Sequence, residues 1–324
     1  MNEVPLHRLS SASSHACGGT GLIALDRLEP DLGSGFSSWA GGSCANVLAI
    51  LAYLGWETYP IARLGDDVPA RAIVSDLGAL HVRTDYVSYD RSVNTPVIIE
   101  RLTTLPDGTP SHRFEFCNGK RFSWYPEYRP VLARMVPDIT CTLPHLDFFY
   151  FDRLSRAALD LALHTKKKGG LVFFEPSSVG DKRAFIRALG VSDIVKYSSS
   201  RLVPELPGDI QIPLEIQTLG SDGLRFRLAG NGWHYMGACC VGPVKDTVGA
   251  GDWCSAGLIH ALGGSGTVSL DGSSGAQIAD ALDFAQLLAG AKCVFSGSRG
   301  CMYGAMKGLF ESLVFRGAGE GQTP

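Results

Sequence analysis

The sequence lacks the features that would assign it to several common classes of protein. Its nine cysteines are odd in number and include no Cys-x-x-Cys pair; Cys239 and Cys240 are adjacent, which suits neither a disulfide between them nor a zinc knuckle. We therefore expect buried free thiols in a reducing compartment. No apolar run approaches the ~18–20 residues that cross a bilayer, and no basic start followed by an apolar core opens the chain. These absences predict a cytoplasmic protein without a membrane partner.

The chain also lacks an excess of charge of either sign. Lys and Arg number 29 against 32 Asp and Glu, a net charge of −3, so neither a basic field for nucleic acid nor a disordered acidic tail is indicated. No Gly-x-Gly-x-x-Gly follows the first apolar run, which argues against a dinucleotide-binding oxidoreductase. With 324 residues, 45% of them hydrophobic, the chain can bury the core of one extended α/β domain or of two smaller ones.

Short apolar runs alternate with helical segments along most of the chain. Thr20–Asp26 reads as a buried parallel strand that ends in an acid, and Ser43–Leu54 as a buried helix closed by Gly55. Further strands are expected at 147–151, 171–174, 193–196 and 214–219, and further helices at 68–77, 155–167, 183–189, 253–262 and 278–295. This alternation predicts an α/β fold with a central, mostly parallel sheet flanked by helices on both faces.

Residues 94–122 interrupt this alternation. Two partly alternating runs, 97–102 and 111–116, flank an Asp-Gly turn at 106–108, which is the pattern of a β-hairpin. We expect this hairpin to project from the main sheet as a small β lid. The exposed edge of this hairpin could pair with the same edge of a second copy across a two-fold axis, so a homodimer is one possible oligomeric state.

The rest of the chain is expected to form one domain over residues 18–310. Residues 1–17 are aperiodic and are predicted to be a loose lead-in. Residues 311–324 are predicted to be a C-terminal tail.

The most informative motif is Asp-Thr-Val-Gly-Ala-Gly-Asp at 246–252, which runs into an apolar helical stretch. A Gly-Ala-Gly turn at the start of a helix leaves backbone N–H groups at the positive end of the helix dipole, where an anion such as a phosphate is stabilised. An acid beside that site is explained if Asp252 takes a proton from an attacking hydroxyl. The simpler alternative is that Gly249 and Gly251 serve only a tight turn and that Asp252 caps the helix.

The whole string at 246–252 resembles the second signature of the ribokinase-like (PfkB) carbohydrate kinases. The resemblance implies a ribokinase-like fold and ATP-dependent phosphorylation of a hydroxyl on a small sugar. It also implies that Asp252 is the general base and that the anion hole consists of the amides of Gly249, Ala250 and Gly251.

A second stretch supports the same resemblance. Residues 41–46, Gly-Gly-Ser-Cys-Ala-Asn, followed by Arg-Leu-Gly-Asp-Asp at 63–67, look like the amino-terminal half of that family. The resemblance implies that Asp26, Gly42 and Asn46 hold the sugar while the lid closes over it and excludes water. A carboxylate and an amide together can accept from and donate to adjacent hydroxyls. Locally satisfied turn and helix-start residues are the alternative for Asp26 and Asn46.

The nucleotide side of the site is indicated by Thr-Leu-Gly-Ser-Asp-Gly at 218–223. This stretch resembles the Thr-x-Gly-x-x-Gly element that runs beside the ATP phosphates and ribose in the family. By the same resemblance ATP is held by Thr218, Gly220, Gly223 and Thr247. Mg²⁺ is expected with the nucleotide, and activation by a monovalent cation is left open. Gly-Ser-Arg-Gly at 297–300 resembles a late element near the adenine, although Arg299 could equally lie on the surface.

Two departures from the family pattern leave the metal ligands unassigned. Where many relatives have Asn-x-x-Glu, this chain has Ser-Ser-Ser-Arg at 198–201, and an arginine pairs with phosphate rather than ordering a magnesium hydration shell. The Asp-Pro-Asn that often follows a middle strand is Glu-Pro-Ser at 175–177. Both changes leave the expected base and anion hole intact.

Two further functions stay open beside the sugar kinase. A nucleoside kinase of the same fold would need a larger aromatic pocket near the lid, for which the sequence offers Phe114, Phe116, Phe122 and Trp124. A non-catalytic sugar- or nucleotide-binding regulator is suggested by the altered metal motif. Asp252 argues against the regulator, because a pure binder gains nothing from a carboxylate beside a phosphate.

Overall fold

Among the described residues, the chain forms an eight-stranded sheet, a four-stranded sheet and two further sheets of two strands each. The computed structural model describes residues 15–30, 37–104, 110–115, 117–118, 123–124, 127–202, 211–264, 270 and 272–320. The strands are β1 (Ala16–Thr20), β2 (Ala24–Pro30), β3 (Ser37–Gly41), β4 (Glu57–Pro60), β5 (Ala62–Gly65), β6 (Val87–Asp90), β7 (Val97–Thr104), β8 (Pro110–Glu115), β9 (Cys117–Asn118), β10 (Ser123–Trp124), β11 (Phe148–Phe151), β12 (Leu171–Phe174), β13 (Ile194–Ser198), β14 (Leu214–Thr218), β15 (Leu224–Leu228) and β16 (His234–Met236). The helices are α1 (Ser43–Tyr53), α2 (Val68–Ala79), α3 (Val136–Thr142), α4 (Arg156–Lys167), α5 (Lys182–Val191), α6 (Ala250–Gly264), α7 (Gly275–Lys292) and α8 (Gly304–Glu320).

The larger sheet has eight strands in the order β16-β15-β14-β13-β12-β11-β1-β4. Neighbours from β4 to β14 pair in parallel, and β15 and β16 add an antiparallel hairpin at one edge. In β11, Phe148 and Tyr150 join the core shared with α1, α6 and α7, whereas Phe149 and Phe151 join the core shared with α4 and α5. Alternate residues of a strand point to opposite faces, so this all-apolar strand is covered on both sides, and the expected α/β architecture is confirmed.

The smaller sheet, which we term the lid sheet, has the strand order β3-β2-β7-β8. The expected hairpin is confirmed as the antiparallel pair β7–β8, and β7 also pairs in parallel with β2. The lid sheet therefore combines the hairpin with a chain segment that precedes α1. The side chains of the four aromatic residues suggested for a nucleoside pocket lie outside the described part of the structure.

The expected strand Thr20–Asp26 is wrong. Its residues divide between β1 of the larger sheet and β2 of the lid sheet, and the chain turns at Gly21. A Cβ on Gly21 would lie 1.6 Å from Asp152 Oδ1, and the same oxygen accepts a hydrogen bond of 2.9 Å from the Leu22 amide. An apolar run does not reveal that its two halves belong to different sheets, because both halves are buried.

Regular structure extends beyond both expected ends of the domain, residues 18 and 310. β1 begins at Ala16, inside the segment predicted to be a loose lead-in, because its amide is held by Asp147 Oδ2 at 2.7 Å. α8 continues to Glu320, so residues 311–320 are helical and not a tail. Within the described residues no helix is both long and apolar enough to cross a membrane.

Candidate active site

The turn at 246–252 is held by the carboxylate at its start. Asp246 Oδ1 accepts from the Val248 amide at 2.8 Å, and Oδ2 accepts from the Gly297 amide at 2.5 Å. Gly249 has a φ of 80°, and a Cβ there would lie 2.6 Å from Ser298 Cβ. Only glycine fits this position, because both the left-handed backbone and the close approach of the 297–298 loop exclude a side chain.

The amino end of α6 supplies the backbone donors. The Ala250 amide donates to the Thr247 carbonyl at 3.1 Å, so this expected member of the anion hole is already engaged inside the turn. The Gly251 amide lies in the first turn of the helix, where no intrahelical carbonyl is available to it, and Gly251 is exposed. An anion at this end of α6 would therefore meet the amides of Gly249 and Gly251 rather than three consecutive amides.

The candidate base is fixed by a residue from the other end of the chain. Asp252 lies in the first turn of α6, and Asn46 Nδ2 on α1 donates to its Oδ2 at 2.8 Å. Ser298 Oγ donates to Asn46 Oδ1 at 3.3 Å, and the Ser298 carbonyl accepts from Trp253 Nε1 at 2.8 Å. Three distant segments thus meet at this carboxylate, as the sequence predicted for two of them.

The other two expected sugar ligands lie beside Asn46. Asp26 is on β2 of the lid sheet and not at the end of a central strand, and a Cβ on Gly41 would lie 1.9 Å from its Cγ. Gly42 caps the start of α1 with a φ of 83°, and a Cβ there would lie 2.4 Å from the Leu22 carbonyl oxygen. The structure therefore brings Asp26, Gly42 and Asn46 together around the turn that opens α1.

A buried ion pair adjoins the base, and its role could not be seen from motifs. Lys196 on β13 is 2% exposed and forms a salt bridge with Glu175 Oε1, just beyond the end of β12. Glu175 Oε2 accepts from Ser255 Oγ of α6 at 2.5 Å and from Tyr150 Oη at 3.1 Å. A Cβ on Gly251 would lie 3.8 Å from Lys196 Nζ, so the pair lies directly behind the helix start. The sequence signal for this pair was a charged residue directly after one apolar strand, Glu175, and another within the next, Lys196.

The surroundings of Asp252 raise the pKa of its carboxyl group toward neutrality. Burial raises the pKa of Asp252 to about 7, and the Glu175 carboxylate acts in the same direction. The Asn46 hydrogen bond and the Lys196 ammonium oppose this rise in pKa. A carboxyl group with a pKa near neutrality can both accept and release a proton at physiological pH.

A further carboxyl group that the motifs did not indicate is Asp152, which follows β11 directly. It is 2% exposed and is paired with Arg153 Nη1 at 2.7 Å. Burial raises its pKa to about 6, against the opposing effect of Arg153. The sequence signal was an acid immediately after the strand Phe148–Phe151.

The expected nucleotide residues lie farther along the same edge of the larger sheet. Thr218 ends β14 and pairs in register with Ser198 at the end of β13. Gly220 and Gly223 both have positive φ, 66° and 93°, in the tight turn between β14 and β15. Thr247 is exposed on the turn before α6. Thr218, Gly220 and Gly223 thus lie at or just beyond the carboxyl end of β14, and ligands of α/β sheets bind at such strand ends.

The sequence predicted Arg299 either near the adenine or on the surface; its side chain is 1% exposed, so the surface alternative is wrong. Its Nη2 donates to the Ala40 carbonyl and to Asp76 Oδ2, the latter at 2.6 Å. Asp76 Oδ2 also accepts from the Ala40 amide at 2.9 Å. Arg299 therefore ties the late loop to the end of β3, immediately before the Gly41–Gly42 turn.

No ready-made protein cage for a metal is present in the described part of the chain, where no cluster of three His, Cys, Asp or Glu residues could hold an ion. At the altered metal motif, Ser198 Oγ and Ser200 Oγ lie 2.8 Å apart and Arg201 is exposed. Hydroxyl groups and an arginine can meet phosphate oxygens directly.

The chain resembles several characterised proteins. It is 26% identical over 264 residues to a fructokinase of Klebsiella pneumoniae, covering 75% of this chain and 83% of that protein. It is 26% identical over 262 residues to an aminoimidazole riboside kinase of Salmonella typhimurium, covering 72% and 77%. A double-mutant fructokinase from Vibrio cholerae O395, solved with fructose, ADP and a potassium ion, is 22% identical with a TM-score of 0.69, covering 94% of this chain and 100% of that one.

No family model matches the chain. The fold is nevertheless that of the ribokinase-family kinases, a central parallel sheet with helices on both faces and a small β sheet beside it. The sequence relatives, a fructokinase and an aminoimidazole riboside kinase, agree with this fold, and the chain is thus similar in sequence and in fold to the ribokinase-like (PfkB) carbohydrate kinases.

Proposed function

We propose that this chain transfers the γ-phosphoryl group of ATP to a hydroxyl group of a small sugar, with Asp252 as the general base. The observation that carries the proposal is the position of Asp252, which combines a pKa near 7, a hydrogen bond from Asn46 and a place in the first turn of α6. An acid that only capped the helix would need neither the raised pKa nor the hydrogen bond from Asn46.

The proposed reaction is a direct displacement. Asp252 accepts the proton as the acceptor O–H bond breaks, and the acceptor oxygen bonds to the γ-phosphorus. The bond from that phosphorus to the bridging oxygen breaks and leaves ADP. The amides of Gly249 and Gly251, at the positive end of α6, stabilise the charge on the transferred group. Ala250 shapes the turn through its bond to the Thr247 carbonyl.

We assign the sugar to Asp26, Gly42 and Asn46. Gly42 lets the backbone approach the ligand closely, while Asp26 and Asn46 offer an acceptor and an amide to adjacent hydroxyls. The fructokinases among the relatives support a small sugar as acceptor. The hydroxyl that is phosphorylated is the one that reaches Asp252 within hydrogen-bond distance.

We assign ATP to the edge formed by Thr218, Gly220, Gly223 and Thr247. Mg²⁺ bound with the nucleotide would neutralise charge on its phosphates. Because the described residues offer no three-ligand cluster, the ion would be held by the phosphates and by water. Arg201, which stands where relatives have a glutamate, would contact a phosphate directly.

A nucleoside is the second candidate acceptor. The aminoimidazole riboside kinase is as similar to this chain, at 26% identity, as the fructokinase is. A riboside shares the sugar hydroxyls that Asp26 and Asn46 would bind and adds a planar base. The alternative of a non-catalytic regulator is disfavoured, because a binder has no use for a carboxyl group whose pKa lies near 7 at the anion site.

We further propose that the protein works in the cytoplasm, where its free cysteines stay reduced. The lid sheet ends in strand β8, whose outer edge offers a place for a second copy of the chain to pair. This edge is the surface through which a homodimer would form.

The test is ADP release with ATP and Mg²⁺ against a panel of sugars and nucleosides, with wild type beside Asp252→Asn. We expect turnover with one acceptor class and a loss of about 10²–10⁴-fold in the variant. Asp160→Asn is the matched control, since Asp160 lies on the outer face of α4 in a surface pair with Arg156. Near-normal turnover in Asp252→Asn would remove Asp252 from its role. ATP binding without turnover on any acceptor would favour the regulator.

A further inference from the structure

A lysine ammonium lies buried behind the anion site. Lys292, the last residue of α7, has a fully buried side chain, whereas lysines near helix ends usually reach solvent. Its Nζ donates to the Asp246 carbonyl at 2.8 Å and lies 3.8 Å from Asp246 Oδ1. Burying an ammonium group is costly unless it is paired, so this position calls for a specific role.

The partner of Lys292 organises the site. The Asp246 side chain is 1% exposed, and its two oxygens bind the amides of Val248 and Gly297. The first bond shapes the turn that leads to Gly249, and the second fixes the loop of Ser298, which packs against Gly249. The charge of one carboxylate thus holds both segments that form the anion site.

We propose that Lys292 is an internal, tethered cation that neutralises Asp246 and so keeps the turn at 246–251 in the shape that binds the phosphoryl group. Lys292 is a positioning residue, since it touches neither acceptor nor phosphate. The carbonyl and the carboxylate of Asp246 are hard oxygen donors of the kind that a free cation binds, and the ammonium group hydrogen-bonds to the carbonyl and lies beside the carboxylate. The enzyme therefore needs no monovalent ion from solution to hold this turn.

The inference rests on the proposed kinase function for its effect on turnover, but its central claim concerns ion binding and can be tested without turnover. Thermal unfolding is measured for wild type and Lys292→Met in potassium chloride and in choline chloride of equal ionic strength. Wild type should have the same Tm in both salts. Lys292→Met should have a lower Tm in choline chloride, and potassium should partly restore it, because a small cation can enter the space beside Asp246.

The control is Lys245→Met. Lys245 immediately precedes Asp246, but its side chain is exposed, so this variant should behave as wild type in both salts. The double variant Lys292→Met with Asp246→Asn should lose the response to potassium, because the negative charge of the Asp246 carboxylate is then absent. If Lys292→Met does not fold, Lys292→Gln carries the same comparison, since it keeps an N–H donor without the charge.

Turnover supplies a second readout once an acceptor is known. Wild-type turnover should not change between the two salts, and Lys292→Met in choline chloride should lose roughly ten- to hundredfold through displacement of the turn, with partial recovery in potassium chloride. A wild-type Tm or turnover that depends on potassium would overturn the proposal, as would a Lys292 variant with wild-type Tm in both salts. If no acceptor supports turnover at all, the kinase assignment fails, while the Tm comparison still decides the role of Lys292.

Discussion

Asn46 Nδ2 donates a hydrogen bond of 2.8 Å to Asp252 Oδ2 across 206 positions of sequence. The amide cannot rotate freely, because Ser298 Oγ holds its Oδ1 at 3.3 Å. The donor end of Asn46 therefore faces the carboxylate. The bond stabilises the ionised form of Asp252, and it ties the start of α6 to α1, the helix that carries Asn46.

Replacing this donor by an acceptor should displace the pH dependence of turnover. In Asn46→Asp, a second carboxyl group stands next to Asp252, so the pair loses its second proton with a pKa above the present value of about 7. We expect low kcat/KM at neutral pH and recovery as pH rises, measured from pH 5.5 to 9.5. An unchanged acid limb would mean that Asn46 does not act on the base.

Glu175 and Lys196 should shift the same profile in opposite directions. The Glu175 charge raises the pKa of Asp252 and the Lys196 charge lowers it. Glu175→Gln should therefore move the acid limb of kcat/KM to lower pH, and Lys196→Met should move it to higher pH. Lys166→Met is the control, because Lys166 pairs with Asp193 at the amino end of β13, away from the candidate site at the carboxyl ends of the strands. Shifts of the same sign in both variants would contradict this electrostatic account.

Substitutions at two glycines with nearly the same φ can separate the cost of backbone strain from the cost of steric overlap with neighbouring atoms. Gly249 has a φ of 80° and contacts Ser298, whereas Gly230 has a φ of 81° and nothing within 4 Å of an added Cβ. Gly230→Ala should cost only the left-handed backbone term, about 1–2 kcal/mol in the free energy of unfolding. Gly249→Ala should cost more and should also abolish turnover, as measured by urea unfolding and ADP release. Equal costs in the two variants would show that the loop at 297–298 yields easily.

The raised pKa of Asp252 also has a consequence for stability. A carboxyl group with a pKa of about 3.8 in the unfolded chain and about 7 in the folded protein binds its proton more tightly when folded. Its contribution is most favourable below pH 3.8 and is lost as pH rises toward and through 7. Asp252→Asn lacks this loss, so it should be more stable than wild type at pH 8, and the difference should shrink at pH 5. Urea unfolding at both pH values tests this, and a wild type that is the more stable protein at pH 8 would refute it.

Patterns of local sequence predicted the elements of the fold well where one element corresponds to one pattern. Leu171–Phe174 and the helix that starts at Ser43 lie where they were expected, since each apolar run is buried as a unit. The run at Thr20–Asp26 misled, because turning the chain at Gly21 depends on Asp152, which is distant in sequence. Side chains of remote residues cannot be read from the periodicity of a segment.

The residues of the candidate site also divide into those that local sequence predicted and those that it did not. Asp252, Gly249 and Asn46 belong to strings with recognisable spacing, and the structure brings them together around Ser298 and the start of α6. Lys196 and Lys292 belong to no such string. Lys196 lies within β13 and Lys292 ends α7, and the role of each comes from burial against a carboxylate that another part of the chain supplies. Tertiary packing alone distinguishes them from solvated lysines.

The site of the proposed sugar is divided between two bodies of the fold. Asp26 belongs to a strand of the lid sheet, whereas Asp252 belongs to a helix packed on the larger sheet. A sugar that contacts both Asp26 and Asp252 would bridge the two sheets. An acceptor that is too short would reach only one of these residues, and one that is too long would keep the two sheets apart. The spacing between the two sheets would thus select acceptors by their size.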